Sequence, residues 1–131
     1  MLDPTPSLYD RLGGYGAIAA IVDDLLPRLL RDPELGLYWK GKCTDSLKKD
    51  RQLFVDFLGS SFGGPVVYLG RDMKTSHEGL GISEREWIRF IEHVVATLTN
   101  LAIARPETAE FLAAAERLKG DIVTAQHQVG V

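Results

Sequence analysis

The chain has 131 residues, 45% of them apolar, and a formal net charge of -3. That is one domain's length with an ordinary apolar share, and the slightly acidic balance gives no electrostatic case for nucleic acid or an anionic membrane. No apolar run approaches a membrane span, and the lone cysteine, Cys43, excludes an internal disulfide and a CxxC metal site.

Met1 to Ser7 lacks the charged and apolar blocks of a signal peptide, so a cytoplasmic protein is expected. From there the periodicity is helical almost throughout. Ser7 is placed to cap a short helix with Leu8, Tyr9 and Leu12, which Gly13-Gly14 ends. From Ala17 to Arg31 the residues Ile18, Ile21, Val22, Leu25, Leu26, Leu29 and Leu30 recur at helical spacing, with Pro27 expected to kink the run. Asp32-Pro33 starts a turn or short helix carrying Leu35, Leu37, Tyr38 and Trp39, and Lys40 to Thr44 reads as loop.

Asp45 or Ser46 opens the next helix, with Leu47, Leu53, Phe54, Phe57 and Leu58 on a broad apolar face. Gly59 and Gly63-Gly64-Pro65 end it, and a brief helix comes between Met73 and Gly79. Ser83, with Glu86 three residues on, forms a capping box for a long helix through Trp87, Phe90, Val94 and Leu98. Pro106 starts the last helix, with Phe111, Leu112, Leu118 and Ile122. Pro65 to Tyr68 is too short, and begins with Pro, to count as a strand. The fold class is all-α, one domain over 1–131 with a core from 7 to 125 and short flexible termini.

The segment from Gly63 to His77 is the most informative. It joins a double-glycine break to a short helix ending in one histidine, a residue that commonly ligates iron, including haem iron. The bland alternative is a surface histidine at a helix end. His93 sits among apolar neighbours on the long helix and reads as structural, and His127 reads as solvated in the C-terminal tail.

Four blocks in order carry a resemblance. They are Ser7-Leu8-Tyr9-Asp10-Arg11-Leu12-Gly13-Gly14, Arg31 to Leu35 with Tyr38-Trp39, Phe57 to Pro65, and Gly70-Arg71-Asp72-Met73 with His77. Together they resemble the group I truncated haemoglobins from about Ser7 to Val123. The resemblance implies a two-over-two helical sandwich around haem b, and His77 as the proximal iron ligand. Its other ring nitrogen should then donate to a carbonyl or carboxylate. It also implies haem contacts from Trp39 (or its neighbour Tyr38), Phe54, Met73 and Trp87. Met73, four residues before His77, should share its helix face. Arg71 stands where relatives often carry a basic residue near a haem propionate; it reads equally well as an ordinary surface arginine. Each aromatic reads equally as core packing.

Carried over by spacing, the distal pocket falls on Leu26, Asp50, Leu53 and Phe54. Leu26 takes the place of a tyrosine, Phe54 that of a glutamine, and Asp50 the distal position. This requires about three extra residues in the loop Lys40 to Thr44, where insertions are tolerated. A rival alignment places Gln52 in the site, but Gln52 projects away from the face of Leu47, Phe54 and Leu58. Leu26, Leu53 and Phe54 cannot donate a hydrogen bond to a gas ligand that gains negative charge, an interaction worth about 1.5–3 kcal/mol. Fast oxygen release is therefore expected. No sixth iron ligand is expected unless Lys48, Lys49 or Asp50 swings in.

The functional expectation is a haem protein that reversibly binds O2, CO or NO, as a monomer or weak dimer with a possible reductase partner. Nitric-oxide dioxygenase-like or peroxidase-like chemistry stays open. The alternatives are a gas or redox sensor acting through a separate partner and a haem-free helical interaction module. No nucleophile motif or phosphate loop is present.

Overall fold

A computed structural model describes residues 5–124. The Oγ of Ser7 accepts the amide of Asp10 at 3.1 Å and starts α1 (Leu8–Leu12). Gly13 ends α1 in the left-handed region with φ 119°, a conformation that costs a glycine little. Next comes α2 (Tyr15–Arg31), which runs through Pro27 without a break. Its inner face, Ile18, Ile21, Val22, Leu25, Leu26 and Leu29, is buried. Side chains of this size contribute roughly 1.5–3 kcal/mol each when fully buried, which outweighs the amide hydrogen bond that proline removes.

Asp32 terminates α2 and starts the next element. Its Oδ1 accepts the amides of Glu34 and Leu35 at 2.8 and 3.0 Å, opening a 3-10 helix over Leu35–Trp39. α3 begins at Thr44, slightly ahead of the position expected from sequence, and ends at Ser61. A short helix, α4 (Met73–His77), separates it from the long α5 (Glu84–Asn100) and α6 (Arg105–Ile122). The expected capping box is present at the start of α5, with Ser83 and Glu86 bonding reciprocally. α2 packs on α3 and on α5, and α5 packs on α6. The four long helices thus form two stacked pairs, and no strand occurs among the described residues.

Two polar clusters tie α2 to α5 across the core. Asp24 accepts Arg28 Nε, Thr97 Oγ1 and Asn100 Nδ2, each at 2.7 Å. Asp32 accepts His93 Nε2 at 2.8 Å and the Arg89 guanidinium at 2.9 Å. His93 therefore has the structural place expected of it; His127 and the final residue of the expected core, 125, lie outside the described residues. Burial opposes ionisation of Asp32. The hydrogen bonds from His93, the Leu35 amide, Arg89 and the Glu34 amide prevail and hold its carboxyl far below the usual carboxylate range.

Candidate functional site: a histidine-bearing apolar cavity

The cavity begins with the break after α3. Gly63 takes φ +90°, and a Cβ on Gly64 would lie 2.5 Å from the ring of Tyr9. Only glycine lets the chain pass so close to α1, where the Tyr9 amide donates to the Phe62 carbonyl at 2.9 Å. The chain then runs without helix to Asp72. Tyr68 braces this stretch: its ring meets Phe57 edge-on at 5.2 Å, and its hydroxyl donates to the Arg71 carbonyl at 2.6 Å. Burial and the nearby Asp72 charge raise the Tyr68 phenol pKa, so it remains a donor.

α4 is five residues long. A single turn does not hold itself in water. The Asp72 side chain caps it, accepting the Thr75 amide at 2.7 Å, and it packs on α6. The resulting space between α3, α4, α5 and α6 is a cavity of about 510 Å³, within the usual range for cofactor sites. Leu25, Leu29, Leu53, Phe54, Trp39 and Trp87 belong to its apolar wall.

His77 lines this cavity, half-buried. Its Nδ1 lies 2.8 Å from the Met73 carbonyl oxygen and 3.1 Å from Ser76 Oγ. A carbonyl only accepts, so in the neutral form of the ring Nδ1 carries the proton and Nε2 keeps the lone pair. Among the described residues no three or more His, Cys, Asp or Glu side chains cluster as a metal site. A lone neutral imidazole suits a metal that arrives with its other ligands in place, as haem iron does. The flat aromatic and aliphatic walls fit the rest of that cofactor.

The cavity also gathers Trp39, Asp50, Leu53, Phe54, Met73 and Trp87 from the expected site. Two expected members are elsewhere. Leu26 is buried in the core but does not line the cavity; Leu25 and Leu29, one turn apart, do. On a helix, Leu26 projects about 100° away from Leu25, which separates the two faces. Arg71 is exposed and off the wall, because it precedes the cap of α4; its backbone carbonyl, not its guanidinium, engages Tyr68. Gln52 is also outside, donating to Tyr15 Oη at 2.8 Å and to Asp56 Oδ1 at 2.9 Å.

Polar members also line the wall; sequence reading offered Tyr38 as the alternative to Trp39 and did not place Glu86 here. Tyr38 and Glu86 both line the cavity, and the phenol donates to Glu86 Oε1 at 2.8 Å. Burial, then this carboxylate, pushes the Tyr38 pKa up to about 12. The capping box marks Glu86 in the sequence, but only as a helix-starting residue. Lys42 and Arg117 also reach the wall.

The bacterial-like globin family model matches residues 7–124. The chain is 31% identical to a group 1 truncated haemoglobin of Mycolicibacterium paratuberculosis, over 92% of this chain and 86% of the relative. It is 32% identical to one from a Nostoc species, over 89% and 97%. The crystal structure of truncated haemoglobin from Tetrahymena pyriformis in its Fe(III) form superposes with a TM-score of 0.83 at 25% identity, covering 90% of this chain and 98% of that one. The all-α, two-over-two architecture is the one expected. The chain therefore belongs to the bacterial-like globins, on their group 1 truncated haemoglobin branch, a membership that implies haem-based gas binding.

Proposed function

We propose that this protein holds haem b through His77 and reversibly binds O2, CO or NO beside a stretch of wall with no hydrogen-bond donor. The observation that carries the reading is the His77–Met73 hydrogen bond, which leaves Nε2 able to donate its lone pair inside an apolar cavity. The cofactor supplies an iron centre at which a diatomic gas is held.

The chain's own residues do the rest. Met73 fixes the imidazole tautomer and orientation through its carbonyl. Trp39, Phe54, Met73 and Trp87 offer the flat and flexible apolar contacts that exclude water. Leu25, Leu53 and Phe54 provide no polar atom to stabilise charge on a ligand, so the site favours rapid release. A reducing cytoplasm and a separate reductase would keep the iron ferrous.

An absorbance spectrum tests the reading. The purified, haem-reconstituted protein should show a Soret band. A His77→Gly variant should lose the five-coordinate histidine spectrum and regain it on addition of free imidazole. A chain that stays colourless after reconstitution would sink the proposal.

A further inference from the structure

Two phenols line the cavity, Tyr38 and Tyr68, and each has a single hydrogen to donate. Tyr68 gives its hydrogen to the Arg71 carbonyl, within its own loop. Tyr38 gives its hydrogen to Glu86 Oε1 at 2.8 Å, from the 3-10 helix to the first turn of α5. The 3-10 helix packs on α2 and α5, whereas α4, which carries His77, packs on α6. Tyr38 and His77 therefore reach the cavity from different walls.

Glu86 is itself held in place. Its Oε1 also accepts the Ser83 amide at 3.0 Å and the Ser83 hydroxyl at 3.2 Å, so the capping box that starts α5 fixes the carboxylate. A hydrogen bond to a carboxylate is about twice as strong as one between neutral groups. With its hydrogen committed, the Tyr38 oxygen has only lone pairs to offer the rest of the cavity. Lone pairs repel a ligand that gains negative charge, whereas a free phenol hydrogen would stabilise it. Tyr38 is a donor by residue type, and its partner removes that donor from the site.

We propose that Glu86 is a positioning residue that sets ligand specificity. By holding the Tyr38 hydrogen it keeps a phenolic donor from the bound gas, which favours CO and NO over O2, the ligand that gains the most charge. The proposal rests on the haem reading above and deepens it: the wall lacks a donor because one side chain silences another, not only because Leu53 and Phe54 are apolar.

Two measurements on the ferrous holoprotein test it, oxygen dissociation by stopped flow and the C–O stretch of the carbonyl complex by infrared spectroscopy. Glu86→Ala should slow oxygen release about tenfold or more and lower the C–O stretching frequency, because the freed phenol donates to the ligand. Tyr38→Phe and the double variant should match the parent in both. Unchanged readouts in Glu86→Ala overturn the proposal. Faster oxygen release from Tyr38→Phe overturns it too, because Tyr38 would then already be donating to the ligand. So does a Glu86→Ala effect that persists in the double variant, which would trace to the lost charge or helix cap. Should Glu86→Ala fail to fold, Glu86→Gln keeps the cap with a neutral acceptor; both readouts should then move the same way by a smaller amount, and no movement overturns the proposal. Ultraviolet titration of the haem-free protein separates this proposal from the haem reading. One tyrosine should ionise at about pH 12 in the parent and at lower pH in Glu86→Ala. An unmoved phenol overturns the hold of Glu86 on Tyr38, and a parent protein that takes up no haem overturns the haem reading itself.

Discussion

The Nδ1–H of His77 donates to the carbonyl oxygen of Met73, 2.8 Å away and one helical turn back. This contact fixes one tautomer of the neutral imidazole, the one that the proposed iron ligand needs. The direction of the ring depends on the turn that carries it, and that turn is capped at Asp72 and packed on α6.

The donor-free stretch of wall gives the first prediction. Phe54→Gln should add an amide donor inside the cavity and slow oxygen release about tenfold or more, since a hydrogen bond to a charged acceptor contributes about 1.5–3 kcal/mol. Gln52→Ala should leave the rate unchanged, because Gln52 is engaged outside with Tyr15 and Asp56. Stopped-flow oxygen dissociation measures both. Slow release from the parent protein would contradict the apolar reading.

Asp32 gives the second. Its folded-state pKa is depressed, so the stability it confers is present above the ordinary carboxylate range, near pH 4, and is lost as pH falls below it. Urea midpoints should fall between pH 4 and pH 2 in the parent protein and more shallowly in Asp32→Asn. At pH 7, Asp32→Ala should cost about 2–3 kcal/mol, because the carboxylate serves His93, Arg89 and two amides at once.

Tyr38 gives the third, with the opposite sign. Its folded pKa is raised to about 12, so the stability contributed is complete below the unfolded value, near pH 10, and is lost as pH rises through about 12. Tyr38→Phe should cost about 1 kcal/mol at neutral pH and flatten the alkaline limb of the stability curve. Thermal melts from pH 8 to pH 12 would show it.

Gly64 gives the fourth. A methyl group there would lie 2.5 Å from the Tyr9 ring, which is buried and cannot swing away freely. Gly64→Ala should destabilise by about 1–3 kcal/mol, the usual range for overpacking. Chemical denaturation measures it. A neutral result would mean that α1 adjusts its seat on the loop.

Sequence alone determined most of the local structure. The glycines at positions 13 and 63, the Ser7 and Ser83 caps and the 3.6-residue periodicity specify helices through contacts a few residues apart, and they are legible for that reason. The four motif blocks were enough to identify the family. Periodicity also separated Gln52 from the face of Phe54.

Tertiary structure decided the rest. Leu25 and Leu26 are adjacent and chemically alike, and only the seating of α2 puts the first on the cavity. Arg71 is close to His77 in sequence, yet the chain leaves it outside the capped turn. Tyr38 finds Glu86 across 48 residues and His93 finds Asp32 across 61. No local pattern encodes such partners. They exist because burying the apolar faces of α2 and α5 brings distant polar groups together, where each must be satisfied or cost stability.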